Sequence, residues 1–326
     1  MTQETRARRN ARGHVEREPG VSMITRSLPF KPPYDWPAMI GFLGARAARG
    51  VEAVQGGSYA RSVAVGSAAG TITVRPDARR SALVAVIRFP EVTALPAIVA
   101  RIRRLLDLDA DPAVIGAHLA LDPAMAPLVA ARPGLRVPGA WDGFELAMRA
   151  VLGQQISVAA ATLLAGKLVV ACSTKLPGAA PVAEGGLTHL FPHPARIANA
   201  PDLGARIGLP RRRAATIVAL ARAAADDPRL FEPGRGLEET VQRLCALPGV
   251  GEWTAHYIAM RAMREPDAFP AADVGLLRAM ATETGRPTPA QLLARAAAWR
   301  PWRAYAALHL WASGPAAARQ RQGDAA

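Results

Sequence analysis

The most informative segment of this chain of 326 residues is Leu247-Pro-Gly-Val-Gly-Glu-Trp-Thr-Ala-His-Tyr257. Apolar helical patterns flank it on both sides, and Pro248 ends the first of them. Gly249 and Gly251 allow a tight turn whose backbone amides stay free at the start of the second helix. Such amides, at the positive end of a helix dipole, form an anion site that a DNA phosphate can occupy. An ordinary turn between two antiparallel helices explains the same letters, so the turn alone does not decide between the two interpretations.

A bulky Trp253 opens the second helix, where a small polar or basic residue would suit an exposed first turn better. Trp253 and Tyr257 are four residues apart and therefore lie on one helical face. Aromatic residues make up only 5% of the chain, so this pair calls for an explanation. For either residue alone, packing in a core is the more common use.

Asp273 follows the hairpin in the segment Phe269-Pro-Ala-Ala-Asp-Val-Gly-Leu-Leu-Arg278. It stands directly before an apolar helix, which predicts that its side chain caps that helix. The helix dipole keeps a capping carboxylate ionised, and a fixed negative charge can stabilise a developing cation. The capping role and a catalytic role are therefore compatible.

The charge balance favours a polyanionic partner. Lys and Arg number 40 against 26 Asp and Glu, a net charge of +14, and the only lysines are Lys31, Lys167 and Lys175. Arginine suits bidentate contacts with phosphate. An alanine- and arginine-rich genome explains the same excess, so charge alone favours nucleic acid only weakly.

Cysteine usage and hydropathy limit the class of protein. Cys172 and Cys245 are far apart and lack a C-x-x-C spacing, which excludes a four-cysteine iron–sulfur or zinc site and favours a reducing compartment. No apolar run has the length of a membrane span. Residues 1–22 are Arg-rich with interspersed glutamates, so we expect a disordered lead-in, or a start at Met23, and no signal peptide.

The pattern along the chain predicts an α+β fold. Residues 23 to about 110 read as a small antiparallel α+β domain, followed by a Pro/Gly-rich connector at 131–139. Its predicted strands lie at 59–65, 70–74 and 82–87, with flanking helices at 36–48 and 93–107. From residue 142 onward the chain is predicted to be helical. These helices are predicted at 144–152, 157–172, 211–225, 238–247, 252–263, 274–284, 289–299 and 302–313.

Several separated motifs, in this order, resemble the helix-hairpin-helix DNA glycosylase superfamily and most closely its AlkA type, 3-methyladenine DNA glycosylase II. The motifs are Lys31-Pro-Pro-Tyr-Asp-Trp36, Gly41-Phe-Leu43, Tyr59-Ala-Arg-Ser62, Gly134-Leu-Arg-Val-Pro-Gly139, Leu152-Gly-Gln-Gln-Ile-Ser-Val158, the hairpin, Pro301-Trp-Arg-Ala-Tyr-Ala306 and Leu308-His-Leu-Trp311. The resemblance implies an AlkA-type N-terminal antiparallel sheet domain with flanking helices at 23–115 and a two-lobed, all-α glycosylase core at 116–326. The hairpin lobe would span 142–265, and the second lobe would combine 116–141 with 266–326.

The resemblance also implies the roles of the site residues. Asp273 would be the catalytic carboxylate that stabilises the sugar cation while the glycosidic bond of a flipped-out nucleotide breaks. Trp253, Tyr257, Trp311 and Phe42 would form the base pocket. An electron-rich aromatic cleft suits a positively charged alkylated base.

The hairpin of this superfamily implies contacts with DNA and with a cation. The phosphate-binding residues would be Pro248, Gly249, Val250, Gly251, Glu252 and Thr254. The backbone carbonyls of Cys245, Leu247 and Val250 would hold a structural monovalent cation, Na⁺ or K⁺, and no other cofactor is expected. Gln155 would fill the gap left by the flipped base, with Ile156 as the alternative, although an apolar wedge is more usual.

Trp253 stands where bifunctional members of the superfamily carry a lysine that forms a Schiff base. The resemblance therefore implies a monofunctional enzyme that hydrolyses the N-glycosidic bond of N-alkylated purines and does not cut the strand, with no iron–sulfur cluster. The alternatives are a glycosylase for hypoxanthine or uracil and a non-catalytic module that binds damaged DNA. The expected partner is duplex DNA with alkylated bases, and the expected state is a monomer in the bacterial cytoplasm, at the nucleoid, without membrane contact.

Overall fold

The computed structural model describes residues 15–18, 21–177, 186–234, 236–283 and 285–314. The N-terminal part is built on a six-stranded antiparallel sheet with the strand order β1-β2-β6-β5-β4-β3. The strands are β1 Val15–Glu18, β2 Val21–Pro29, β3 Glu52–Gln55, β4 Ser58–Val65, β5 Ala68–Pro76 and β6 Ala82–Phe89. The predictions of strands at 59–65, 70–74 and 82–87 are confirmed.

The prediction that residues 1–22 are disordered is wrong for 15–18, 21 and 22. Residues Val15–Glu18 pair antiparallel with the start of β2, in a register that joins Val15 to Ile24 and Glu18 to Val21. Pairing at a sheet edge uses only backbone groups, so this charged segment needs no alternating apolar pattern to form a strand. The rest of the predicted lead-in, residues 1–14, 19 and 20, lies outside the described residues.

The described residues contain fourteen α-helices, most of them after the sheet. They are α1 Trp36–Gly44, α2 Leu95–Leu105, α3 Pro112–Leu119, α4 Ala126–Ala131, α5 Gly143–Leu152, α6 Val158–Cys172, α7 Pro194–Ala198, α8 Leu203–Ile207, α9 Arg211–Asp226, α10 Leu237–Cys245, α11 Glu252–Arg261, α12 Val274–Ala279, α13 Pro289–Arg295 and α14 Arg303–Ser313. All the predicted helices are present. Three end four or five residues earlier than predicted: α1 at Gly44, α12 at Ala279, and α13 at Arg295, where a 3₁₀ turn follows.

The strand β2 and the short elements β3, α3, α4, α7 and α8 were not predicted. The last two are only five residues long, too short to show a helical period.

Three large hydrophobic clusters hold these elements together. One covers the sheet and packs it against α1 and α2, with Tyr59 and Phe89 fully buried. A second lies between α5, α6, α9 and α11, and a third combines the helices at 115–137 with those at 268–310. The hairpin helix α11 contributes residues to both helical clusters. It therefore lies at their junction, and the predicted domain bounds stay predictions. No helix among the described residues is long and apolar enough to cross a bilayer.

Candidate active site

The hairpin turn joins α10 to α11 with its amides free. Gly249 has φ +77°, which favours glycine, and a Cβ there would clash with the side chain of Thr216. Gly251 is the N-cap of α11 and makes no side-chain capping bond. Within the described residues, the N–H groups of Gly251, Glu252 and Trp253 donate to no acceptor. The turn thus presents a short row of backbone donors at a helix start.

Asp273 is held at three points. It caps α12, as predicted, by accepting a hydrogen bond from the backbone N–H of Leu276 at 3.0 Å. The indole Nε1–H of Trp253 donates to its Oδ2 at 2.8 Å, and that of Trp311 donates to its Oδ1 at 2.8 Å. Both carboxylate oxygens are therefore fixed in direction by charge-assisted hydrogen bonds.

Trp253, in the first turn of α11, stacks on Tyr257 of the same helix. The rings of Trp253 and Tyr257 lie 5.3 Å apart, with 9° between their planes. Trp311, on α14, meets Tyr257 edge-on, with ring centroids 6.4 Å apart at 60°. The spacing of four residues places both rings of α11 on one face, as predicted, and this face points toward Asp273.

A cavity of about 1050 Å³ brings the predicted pocket residues together. It is lined by Asp273 and by all four predicted aromatic residues, Phe42, Trp253, Tyr257 and Trp311. Phe42 reaches it from α1 of the sheet domain, so the cavity lies between this domain and the helices. The roles of these residues in base binding stay predictions.

Two arginines in the wall were not foreseen from the sequence. The Cζ atom of Arg46 lies 3.8 Å from the ring centroid of Phe42, and that of Arg261 lies 4.7 Å from it. Arg261 Nη1 also donates to the hydroxyl of Tyr257 at 2.6 Å. Burial raises the pKa of Tyr257, but the charges of Arg261 and Arg46 outweigh it, so the pKa lies below its ordinary value. Two guanidinium groups therefore lie against the ring of Phe42 in the cavity wall.

Arg261 is fixed by the connector that was predicted at 131–139. Its Nε donates to the carbonyl of Pro138 at 2.7 Å, and its Nη2 donates to that of Gly139 at 2.9 Å. Buried guanidinium groups need such partners. The connector thus helps to hold the hydroxyl of Tyr257 in place through Arg261.

A buried ion cluster lines the cavity where the sheet meets α5. Glu52 accepts a hydrogen bond from Arg149 at 2.6 Å and another from the hydroxyl of Tyr59 at 2.6 Å. Glu145 pairs with Arg61 at 2.7 Å and with Arg149 at 2.8 Å. Burial alone would raise the pKa of Glu52, but Arg149 and Arg61 lower it to about 2. This cluster joins the sheet domain to the helical region.

The loop after α5 is attached to the hairpin. Gln154 Nε2 donates to the carbonyl of Gly249 and to the hydroxyl of Thr254, each at 3.0 Å. Gln155 is exposed with φ +59°, whereas Ile156 is half-buried and lines the cavity. Gln155 therefore projects outward from an anchored loop, and its wedge role stays a prediction.

The predicted cation site has suitable oxygen atoms. The carbonyls of Cys245 and Val250 accept no hydrogen bond from the described residues, whereas that of Leu247 accepts one from the N–H of Val250 at 3.1 Å. Backbone oxygens are ligands that alkali cations use. The donor set therefore fits Na⁺ or K⁺, and the site stays a prediction. The described residues contain no cluster of His, Cys, Asp and Glu side chains that could hold a metal ion.

Comparison with known proteins places this geometry in a family. Residues 25–142 match the model of the AlkA N-terminal domain, and residues 148–304 match that of the HhH-GPD superfamily of base excision DNA repair proteins. DNA-3-methyladenine glycosylase 2 of Escherichia coli is 36% identical over 87% of this chain and 96% of its own length. The chain belongs to the AlkA family of helix-hairpin-helix proteins. The expected α+β fold with a helix-hairpin-helix core is thereby confirmed.

Other relatives agree with this family. A probable bifunctional transcriptional activator/DNA repair enzyme AlkA of Mycobacterium tuberculosis is 40% identical over 88% of this chain, and the chain spans only 56% of that relative's length. The structure of a 3-methyladenine DNA glycosylase from Archaeoglobus fulgidus matches with a TM-score of 0.75 at 23% identity, over 87% of this chain and 97% of that one. At this identity the structural match bears on the AlkA fold alone.

Proposed function

We propose that the protein is a monofunctional DNA glycosylase that removes N-alkylated purines, such as 3-methyladenine and 7-methylguanine, from duplex DNA in base excision repair. One observation carries this proposal: a carboxylate, Asp273, is fixed by two indole N–H groups at the wall of an aromatic cavity. A pure DNA-binding module has no need for a carboxylate near a phosphate-binding turn, where it repels the DNA. The name of the Escherichia coli relative supports the same activity.

Substrate capture begins at the hairpin. A backbone phosphate binds the free N–H groups of Gly251 and Glu252, assisted by the dipole of α11. The damaged nucleotide then rotates out of the duplex into the cavity, and Gln155 or Ile156 fills the gap. The base stacks against the aromatic walls, where a ring with a formal positive charge gains cation–π stabilisation.

Asp273 acts on the sugar. As the bond between C1′ and N9 of the purine breaks, its electron pair goes to N9 and neutralises the alkylated base, which leaves without a general acid. The carboxylate stabilises the positive charge that develops at C1′ and O4′. The oxygen of a water molecule then bonds to C1′ and loses a proton, which yields an abasic sugar and the free base.

The strand stays intact in this proposal because the described residues offer no amine nucleophile at the site. Trp253 occupies the hairpin position at which the bifunctional members have a lysine, and none of Lys31, Lys167 and Lys175 lines the cavity. Water is therefore the nucleophile that reacts at C1′. We further propose that the protein works as a monomer in the cytoplasm and that the hairpin carbonyls hold an alkali cation.

The test is a base-release assay on duplexes that carry one damaged base each: 7-methylguanine, hypoxanthine or uracil. Abasic sites are measured with and without alkali. We expect release of 7-methylguanine and strand breaks only after alkali. Breaks without alkali would contradict the monofunctional assignment. Release of hypoxanthine or uracil alone would reassign the substrate, and release of no base would support a binding module.

A further inference from the structure

The charges of α9 are arranged against its helix dipole. Arg211, Arg212 and Arg213 form its first turn, whereas Asp226 is its last residue. Cations stabilise a helix near its C-terminus and carboxylates near its N-terminus, so this order is unfavourable at both ends. The N-cap, Pro210, makes no side-chain bond that would offset it. Helix stability therefore does not explain the three arginines.

The first turn of α9 lies against the predicted DNA-binding elements. Thr216 packs against Gly249 of the hairpin turn, closely enough to leave no room for a Cβ there. The hydroxyl of Thr216 donates to the carbonyl of Arg212 at 3.3 Å. Arg213 Nη2 donates to the carbonyl of Gln154 at 2.8 Å, which ties α9 to the loop that presents Gln155. The start of α9 is thus held where the hairpin meets this loop.

Only one of the three guanidinium groups is used in these contacts. Arg211 and Arg212 are exposed, and neither has a hydrogen-bond or ion-pair partner within the described part of the chain. Arg212 is four residues before Thr216 and shares its helical face, whereas Arg211 is the first residue of the helix. Both cations belong to the end of α9 that contacts Gly249 and Gln154. The patch formed by Arg211 and Arg212 therefore extends the positive surface of the hairpin.

We infer that Arg211 and Arg212 bind backbone phosphates of the duplex next to the phosphate held by the hairpin. The inference rests on the proposed function, because it widens the DNA contact of the same site. The ligands are the side chains, since a guanidinium group matches two phosphate oxygens at once. Such contacts carry no sequence information and fix the duplex while a base is rotated out.

The test is the salt dependence of DNA binding. The probe is a short duplex with one tetrahydrofuran abasic site, which the enzyme cannot cleave at a glycosidic bond. Each phosphate contact contributes about 0.9 to the slope of log K against log salt concentration. For Arg211→Gln/Arg212→Gln we expect the slope to fall by about 2 from the wild-type value, with an unchanged or slightly higher Tm because dipole repulsion is relieved.

A matched control removes the same charge elsewhere. Arg79 and Arg80, in the turn between β5 and β6, are also exposed and also lack side-chain partners within the described residues. We expect Arg79→Gln/Arg80→Gln to keep the wild-type slope. Equal slopes for the two double variants would overturn the inference. A fall in Tm that occurs only in Arg211→Gln/Arg212→Gln would also overturn the inference, because it would show that the two arginines stabilise the fold.

The proposed function is read out separately, by release of 7-methylguanine from the wild-type protein. If the wild type releases no base and the slope still falls for Arg211→Gln/Arg212→Gln, the DNA-contact inference holds and the glycosylase proposal fails. If base is released and the slope does not change, the glycosylase proposal holds and the DNA-contact inference fails.

Discussion

Trp253 makes two interactions in the site, an aromatic stack and a hydrogen bond. Its ring stacks on Tyr257, 5.3 Å away, and its Nε1–H fixes one oxygen of Asp273 at 2.8 Å. The first interaction needs only an aromatic face, whereas the second needs an indole donor. A bulky residue in an exposed first turn is thereby explained by what lies beside that turn.

Replacing Trp253 by phenylalanine separates the two tasks. The stack on Tyr257 is kept and the donor to Asp273 is lost, and a hydrogen bond to a charged group is worth about 1.5–3 kcal/mol. We expect single-turnover release of 7-methylguanine to slow by about tenfold or more. Trp302→Phe is the control, since Trp302 contacts Tyr305 and does not line the cavity. Equal rates for both variants would show that the indole donor is irrelevant.

The hairpin turn contains two glycines, Gly249 and Gly251, whose backbone conformations and surroundings differ. Gly249 has a positive φ and faces Thr216, whereas a Cβ on Gly251 meets open space. We expect Gly249→Ala to lower the free energy of unfolding by about 2 kcal/mol or more, from the left-handed backbone and the clash together. Gly251→Ala should cost about 1 kcal/mol or less, as a change of N-cap, and should mainly weaken duplex binding.

Urea denaturation and a DNA titration of both variants check this pair. A larger loss of stability in Gly251→Ala than in Gly249→Ala would contradict the assignment of the two glycines.

The elements that the sequence predicted well are those with local signals. Pro248 and the paired glycines marked the hairpin, and Asp273 marked the start of α12. The contact of Arg261 with Phe42 could not be predicted because the two residues, more than two hundred positions apart in the chain, meet only through the fold. The edge strand β1 was missed because its pairing with β2 uses main-chain groups and needs no alternating apolar pattern.

The ion cluster of Glu52, Arg61, Glu145 and Arg149 joins the sheet domain to the helices. Glu52 belongs to the sheet and Arg149 to α5, and their contact at 2.6 Å is partly buried at the cavity wall. The sequence contained Tyr59 and Arg61 as a recognisable motif, but it did not show that these residues face α5. Charged residues far apart in sequence form such a cluster only when the domains pack.

This cluster should make stability depend on pH below neutrality. The pKa of Glu52 falls from 4.5 to about 2 on folding, so its ionisation stabilises the protein above about pH 4.5. That contribution, on the order of 3 kcal/mol, is lost as the pH falls from about 4.5 through about 2. We expect Glu52→Gln to be less stable than the wild type at pH 7, with a difference that shrinks over this window.

Urea denaturation across this pH range measures the difference, and the exposed Glu91→Gln is the control. A difference between wild type and Glu52→Gln that stays constant with pH would show that the ionised carboxylate of Glu52 is not the stabilising form.

In the proposed mechanism, Asp273 provides the chemistry of base release. The most direct measurement compares Asp273→Asn with the wild type in single-turnover release of 7-methylguanine, together with binding to a duplex with a tetrahydrofuran abasic site. The amide keeps the shape of the carboxylate and loses its charge, so we predict a rate lower by about 100-fold or more with binding retained. Release at the wild-type rate by Asp273→Asn would contradict this role of Asp273.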